Sequence, residues 1–151
     1  MPRPFPLRTL LEHSRHRLEA AERVMRYQKR KEEAARLRLV ELHGFRSEYQ
    51  ARLGGSSQSG LDIHMLRDFH VFLKKLDIAI HAQEDEVKLA QSRWQAAHGY
   101  WTTARAKVKA YETLAERHRV AEVRREDKID QANMDELVNR RFAVSIRKED
   151  L

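Results

Sequence analysis

Hydrophobic residues recur along this chain in alternating steps of three and four. Between residues 66 and 115 the sites are Leu66, Phe69, Leu73, Leu76, Ile80, Gln83, Val87, Ala90, Trp94, Ala97, Trp101, Ala104, Val108, Tyr111 and Ala115, and only Gln83 is polar. A seven-residue repeat held for about fourteen helical turns describes one straight helix with a narrow apolar seam, which must bury itself against another helix. It excludes a pocketed globular enzyme. The pattern appears earlier too, less cleanly, at Leu7, Leu11, Ser14, Leu18, Ala21, Met25, Gln28, Glu32, Ala35, Leu39, Leu42, Arg46, Tyr49 and Leu53. Its weakest part is the middle, around Gln28 and Glu32.

The two stretches are separated by Gly54-Gly55-Ser56-Ser57-Gln58-Ser59-Gly60, small, polar and glycine-rich. That is the length of a helix–helix connection, too short for a domain linker. Asp62, with Ser59 close by, is the expected N-cap of the second helix. A short connection makes the helices antiparallel neighbours. The expected fold is therefore all-α: a single coiled-coil domain over residues 1–151, forming a long two-helix antiparallel hairpin. Helix 1 covers about 7–53, the turn 54–61, helix 2 about 62–142 and a tail 143–151. At about 1.5 Å per residue the helices measure roughly 70 and 120 Å. Reflection about the turn pairs residue n with about 115 − n, so Leu7 falls level with Val108. Everything beyond about residue 110 is then a C-terminal helical overhang without an intramolecular partner, mobile or docked into another molecule.

Composition supports long helices. Charged residues make up 35% of the chain, glycines number five, and all three prolines (Pro2, Pro4, Pro6) lie in the first six residues. Nothing from Leu7 onward carries the ring that breaks a helix. The chain has no cysteine, which excludes disulfides and thiolate metal sites. No stretch approaches 18 apolar residues, and the N-terminus lacks an apolar core of signal-peptide length, so a cytoplasmic protein is expected.

The formal net charge of +7 invites a nucleic-acid reading, but its distribution opposes one. Residues 1–53 carry 13 basic and 7 acidic side chains, residues 54–108 carry 7 and 6, and residues 109–151 carry 10 and 10. The basic excess is densest at Lys29-Arg30-Lys31, which the expected register sets level with Glu84-Asp85-Glu86. Opposite charges flanking a seam are the ordinary device that sets pairing. His13 and His16, at i, i+3, lack a carboxylate pair to complete a metal site, and three consecutive acidic residues point in different directions on a helix. No catalytic residue, metal or cofactor is expected.

The aromatics are more telling. Phe45 and Phe72 each lie one residue off the seam, beside Arg46 and Leu73. With Leu42, Tyr49, Leu76 and Ala79 they form apolar flanks some ten to fifteen residues from the turn. Exposed aromatics near the tip of a rod are protein-contact anchors.

From Trp101 to Leu137 the spacing of Trp101, Tyr111, Leu114, Glu116, Arg117, Asp130, Gln131, Met134, Asp135 and Glu136 resembles the FliJ family of bacterial flagellar type III export proteins. The resemblance extends to Phe5 and Leu7, to Tyr49 before the Gly/Ser turn, to Phe69-x-x-Phe72-Leu73 and to Ala79-Ile80. The polar D-Q-x-x-M-D-E element starting at Asp130 is its most specific part. It implies a non-enzymatic stalk similar to the rotor of rotary ATPases, seated in the hexameric export ATPase. The stalk would meet the cytoplasmic domain of the membrane export gate, handle export chaperones, and associate peripherally with the inner face of the cell membrane. The family's gate-contact positions match Leu42, Phe45, Tyr49, Phe72, Leu76 and Ala79, and another, usually Gln, is Arg38 here. The ATPase-facing end corresponds to the start of helix 1 with the overhang, including Asp130, Gln131, Asp135, Arg140 and Arg141. The rival readings are the stalk of a virulence-type injectisome, a self-associating structural coiled coil, and a basic nucleic-acid-binding hairpin.

Overall fold

The computed structural model describes residues 1–58, 60 and 62–149, and the side chains of 56–58 lie outside that description. Two long helices pack against each other: α1, Arg8–Gln58, and α2, Ile63–Glu149. Among the described residues there is no strand. The chain forms two compact units, Glu19–Thr103 and Met1–Leu18 with Ala104–Leu151.

In the Glu19–Thr103 unit the helices are antiparallel. Arg46 Nε donates to Asp77 Oδ1 at 2.6 Å, the Gln83 amide to the Ala35 carbonyl at 2.9 Å, and the Trp101 indole N–H to Glu22 at 3.3 Å. The Lys29 ammonium lies over the Trp94 ring, 4.6 Å from its centroid. Ala21, Ala35, Leu73, Leu76, Ile80 and Ala90 are buried, as the seven-residue pattern requires. Every seam position of both helices, the polar ones included, is at least half-buried. None of the described side chains is sealed completely, because each helix has one neighbour only.

At the weak middle of the helix 1 seam a buried charge is compensated within the helix itself. Glu32, with 4% of its side chain exposed, accepts from Lys29 at 3.1 Å and Arg36 at 2.8 Å, both on its own helix. These partners, Lys29 foremost, keep its carboxyl below the ordinary glutamate range despite burial.

The register differs from the expected one by about a heptad. Lys29 lies against Trp94 and pairs with Glu32, while Glu84 lies beside His81 of its own helix, so the two charged triplets are not level. The cause is at the turn. Gly54 and Gly55 are helical, and α1 continues to Gln58 rather than ending at Leu53. Gly60 has φ of +81°, the left-handed conformation in which glycine ends helices. Asp62 directly precedes α2, and its carbonyl accepts the Leu66 amide at 3.1 Å, the N-cap position expected of it. Ser59, named with it, lies outside the described residues. Pairing reflects about the turn, so moving the pivot by about half a heptad moves the register by a whole one. At the other end α2 runs to Glu149, through what was expected as a tail from 143, with no glycine or proline to stop it and with Arg147 and Lys148 favourably placed at its carbonyl end.

In the second unit Arg15 pairs with Glu112 at 3.4 Å, and Leu11, Ser14, Ala104 and Val108 are buried. The pairing continues where α1 has not begun. Phe5 packs on the His118 ring at 5.7 Å, and the His118 ring nitrogen lies 2.9 Å from the Arg3 carbonyl. The Arg3 amide and guanidinium donate to Glu122 at 3.1 and 3.3 Å, and the chain's amino group lies 3.5 Å from Glu126. Residues 1–5 are thus a non-helical strap along α2. Pro2, Pro4 and Pro6 forbid helix and favour extended backbone. Two extended residues advance about 6 Å, as four helical residues do, so Phe5, Arg3 and Met1 fall against residues 118, 122 and 126. The expectation that nothing beyond about 110 has an internal partner is therefore corrected: the uncovered part of α2 starts at Asp127, and residues 127–149 are all exposed.

Two outcomes follow from these contacts. Lys29→Ala and Trp94→Ala should show a coupling of about 0.5–1 kcal/mol in a double-mutant unfolding cycle, the usual worth of an exposed cation–π pair; coupling of Lys29 to Glu86 instead would restore the other register. The second outcome concerns pH. Glu122 is held below the ordinary carboxylate range, first by the Arg3 backbone amide and then by Arg125 and the Arg3 charge. A lowered folded pKa means that its contribution is complete above the ordinary carboxylate range and is lost as pH falls through the lowered value. The Arg3 amide resonance should therefore titrate at a pH below that of an ordinary glutamate, and Glu122→Gln should remove that step. An Arg3 amide indifferent to acid would show that the strap is not held there.

Candidate partner-contact surfaces

One surface lies in the Glu19–Thr103 unit, where the sequence places an aromatic patch. Helix geometry puts Phe45 on α1, and Phe72 and Ala79 on α2, on the same flank of the antiparallel pair. Tyr49, at the seam, organises it. Its ring stacks on Phe72 at 4.3 Å and meets Phe69 edge-on at 5.9 Å, while the Arg52 guanidinium lies 6.0 Å away. Such rings hold one another in place at a modest cost in exposed area.

The six patch residues divide by burial. Leu76 is buried in the seam and Leu42 and Tyr49 are half-buried, whereas Ala79, Phe72 and Phe45 are exposed, the two rings at 38% and 52%. A partner reaching this flank meets Phe45, Phe72 and Ala79, with Leu76 and Tyr49 as their support. Arg38 is exposed. Phe69 and Arg52 complete the aromatic cluster but are not marked as contact residues by the sequence, where a seam position reads as core and a lone arginine as solvated surface.

The other flank mixes charged and apolar side chains. An open groove of about 670 Å³ runs along Arg46, Gln50, Leu53, Leu66, His70 and Asp77. Arg46 and Asp77 hold each other charged: their hydrogen bond raises the guanidinium pKa and lowers that of the carboxyl. Among the described residues no group of three or more His, Cys, Asp or Glu is arranged to hold a metal, and no helix is long and apolar enough to cross a membrane.

The second surface is the uncovered part of α2. Asp130, Gln131, Asp135, Arg140 and Arg141 are all exposed. Arg140 is engaged by Glu136 of its own helix at 2.6 Å. Met134, Leu137, Val138 and Phe142 stand exposed among those charges, at 65, 49, 61 and 66%. Their spacing of three, four and eight is legible in the sequence, but it lies off the seven-residue seam.

The family described as "Flagellar FliJ protein" matches residues 3–147. A curated relative, the flagellar FliJ protein of Escherichia coli (strain K12), is 25% identical over 134 residues, which is 89% of this chain and 91% of the relative. No solved structure matches the chain.

Burial sorts the patch in a way that unfolding can check. Phe45→Ala should change stability by no more than about 0.5 kcal/mol, whereas Leu76→Ala should cost about 2–4 kcal/mol as a seam truncation. Urea unfolding of the two variants measures both. Equal losses would place Phe45 in the core and remove it from any partner surface.

Proposed function

Because this chain belongs to the FliJ family of flagellar proteins, we propose that it is a non-enzymatic stalk of the flagellar type III export apparatus. In this reading it links the hexameric export ATPase to the cytoplasmic domain of the membrane export gate and escorts export chaperones. It would reach the inner face of the membrane only through these partners. The observation that carries the proposal is residues 127–149, a helical segment exposed throughout on a chain whose other seam positions are covered. In proteins most helical stability comes from packing of an apolar face, and along this segment a partner would supply the packing that the chain does not. Asp130, Gln131, Asp135, Arg140 and Arg141 are assigned to the ATPase contact. Phe45, Phe72 and Ala79, backed by Leu42, Tyr49 and Leu76, are assigned to the gate contact.

A flagellar rather than an injectisome system is favoured by the name of the matched family. A nucleic-acid role is disfavoured because many of the basic residues are engaged with acidic neighbours: Arg3, Arg15, Arg36, Arg46, Arg119 and Arg125 all lie in ion pairs.

Removing residues 127–151 should leave the strap and both units folded, since the ion pairs that join α2 to α1 and to the strap lie before that point. Melting should shift by no more than a few degrees, while stimulation of the export ATPase is lost. Phe45→Ala with Phe72→Ala should instead abolish binding to the gate domain and spare ATPase stimulation. Full stimulation by the truncated chain would refute the stalk assignment.

A further inference from the structure

We propose that residues 127–149 also pair, antiparallel, with the same segment of a second copy of this chain. The segment is close to self-complementary when reversed. At about 100° per residue, Met134, Leu137, Val138 and Phe142 fall within an arc of about 140°. Met134 and Phe142 stand four residues to either side of Val138. Two copies laid antiparallel about Val138 set each Met134 against the other copy's Phe142, a thioether on an aromatic ring, with Leu137 and Val138 meeting at the two-fold axis.

Charge selects the same arrangement. Residues 127–137 carry four acidic side chains and one basic, and residues 138–149 carry four basic and one acidic. Parallel copies would bring like halves together, whereas antiparallel copies lay each acidic half on the other's basic half. Asp135 comes level with Arg141 of the second copy, and Asp130 within a turn of its Lys148. Among the described residues Asp130, Asp135 and Arg141 have no ion-pair partner, whereas Arg140, turned away from the stripe, is occupied by Glu136. The contact extends over only a few turns, less than the roughly 1,200 Å² of a standard stable interface. The dimer is therefore weak, salt-sensitive and concentration-dependent. It covers Asp130, Asp135 and Arg141, so it and any other occupant of that face exclude one another. The pairing goes beyond the stalk reading and needs no ATPase.

Sedimentation equilibrium of the full chain tests it. At about 50 mM salt the native protein should move from monomer to dimer between about 10 µM and 1 mM. Raising salt to about 0.5 M should weaken association at least threefold, and Phe142→Asp should abolish it. Asp130→Arg with Asp135→Arg, and separately Arg141→Glu with Lys148→Glu, should each give a monomeric chain of unchanged helicity. Mixing the two should recover a 1:1 complex, because a predominantly basic face then meets an acidic one. A native chain that stays monomeric to about 1 mM at low salt, reversed chains that self-associate as the native does, or a mixture that fails to pair would each overturn the proposal.

Discussion

A seam that repeats every seven residues forces two helices together but does not say which heptad meets which. Slide one helix by seven positions and apolar residues still face apolar residues, so hydrophobic burial is nearly degenerate in register. The choice falls to features that do not repeat. In the Glu19–Thr103 unit these are the Arg46–Asp77 pair, the Gln83 amide on the Ala35 carbonyl, Lys29 over Trp94 and Glu22 beneath the Trp101 indole. They are worth little individually against the seam as a whole. They agree with the register that the pivot at the turn imposes, and they can discriminate because seam burial, though far greater, is indifferent to register.

The N-terminal strap arises from the opposite property. Three prolines at alternate positions remove the helical option from the first residues. The extended chain they impose advances at a rate commensurate with every fourth residue of a neighbouring helix. Alternate residues therefore meet successive turns of α2, where His118 and Glu122 receive them. Glu122 would be an unfavourable seam residue by itself. With the Arg3 amide and Arg125 bonded to it, its burial is supported by the charge it retains.

What remains uncovered is informative because so much is covered. Seam positions of both helices are shielded, and the strap extends the shielding to Glu126. Past that point exposed apolar residues stand between an acidic and a basic block, and near the turn two phenylalanines project from a flank whose tyrosine supports one of them. Among the described residues no large side chain is sealed completely from solvent.

The chain by itself determined the helices, their antiparallel pairing and the identity of the seam, since periodicity is a local property that survives without knowledge of the partner. Phe45 and Phe72 were legible for the same reason, each one step off the repeat. Tertiary structure alone decided the rest. Gly54 and Gly55 read as a turn by composition, yet they continue α1, and that displaced pivot shifted the pairing by one heptad. Nothing in the sequence marks His118, Glu122 and Arg125 as partners of the strap, because a polar residue on the seam is indistinguishable in sequence from the seam's end. The stripe from Met134 to Phe142 was readable but belonged to no intramolecular pattern. Register, strap and overhang all depend on contacts between residues far apart in the chain, and such contacts leave no periodic trace in either segment.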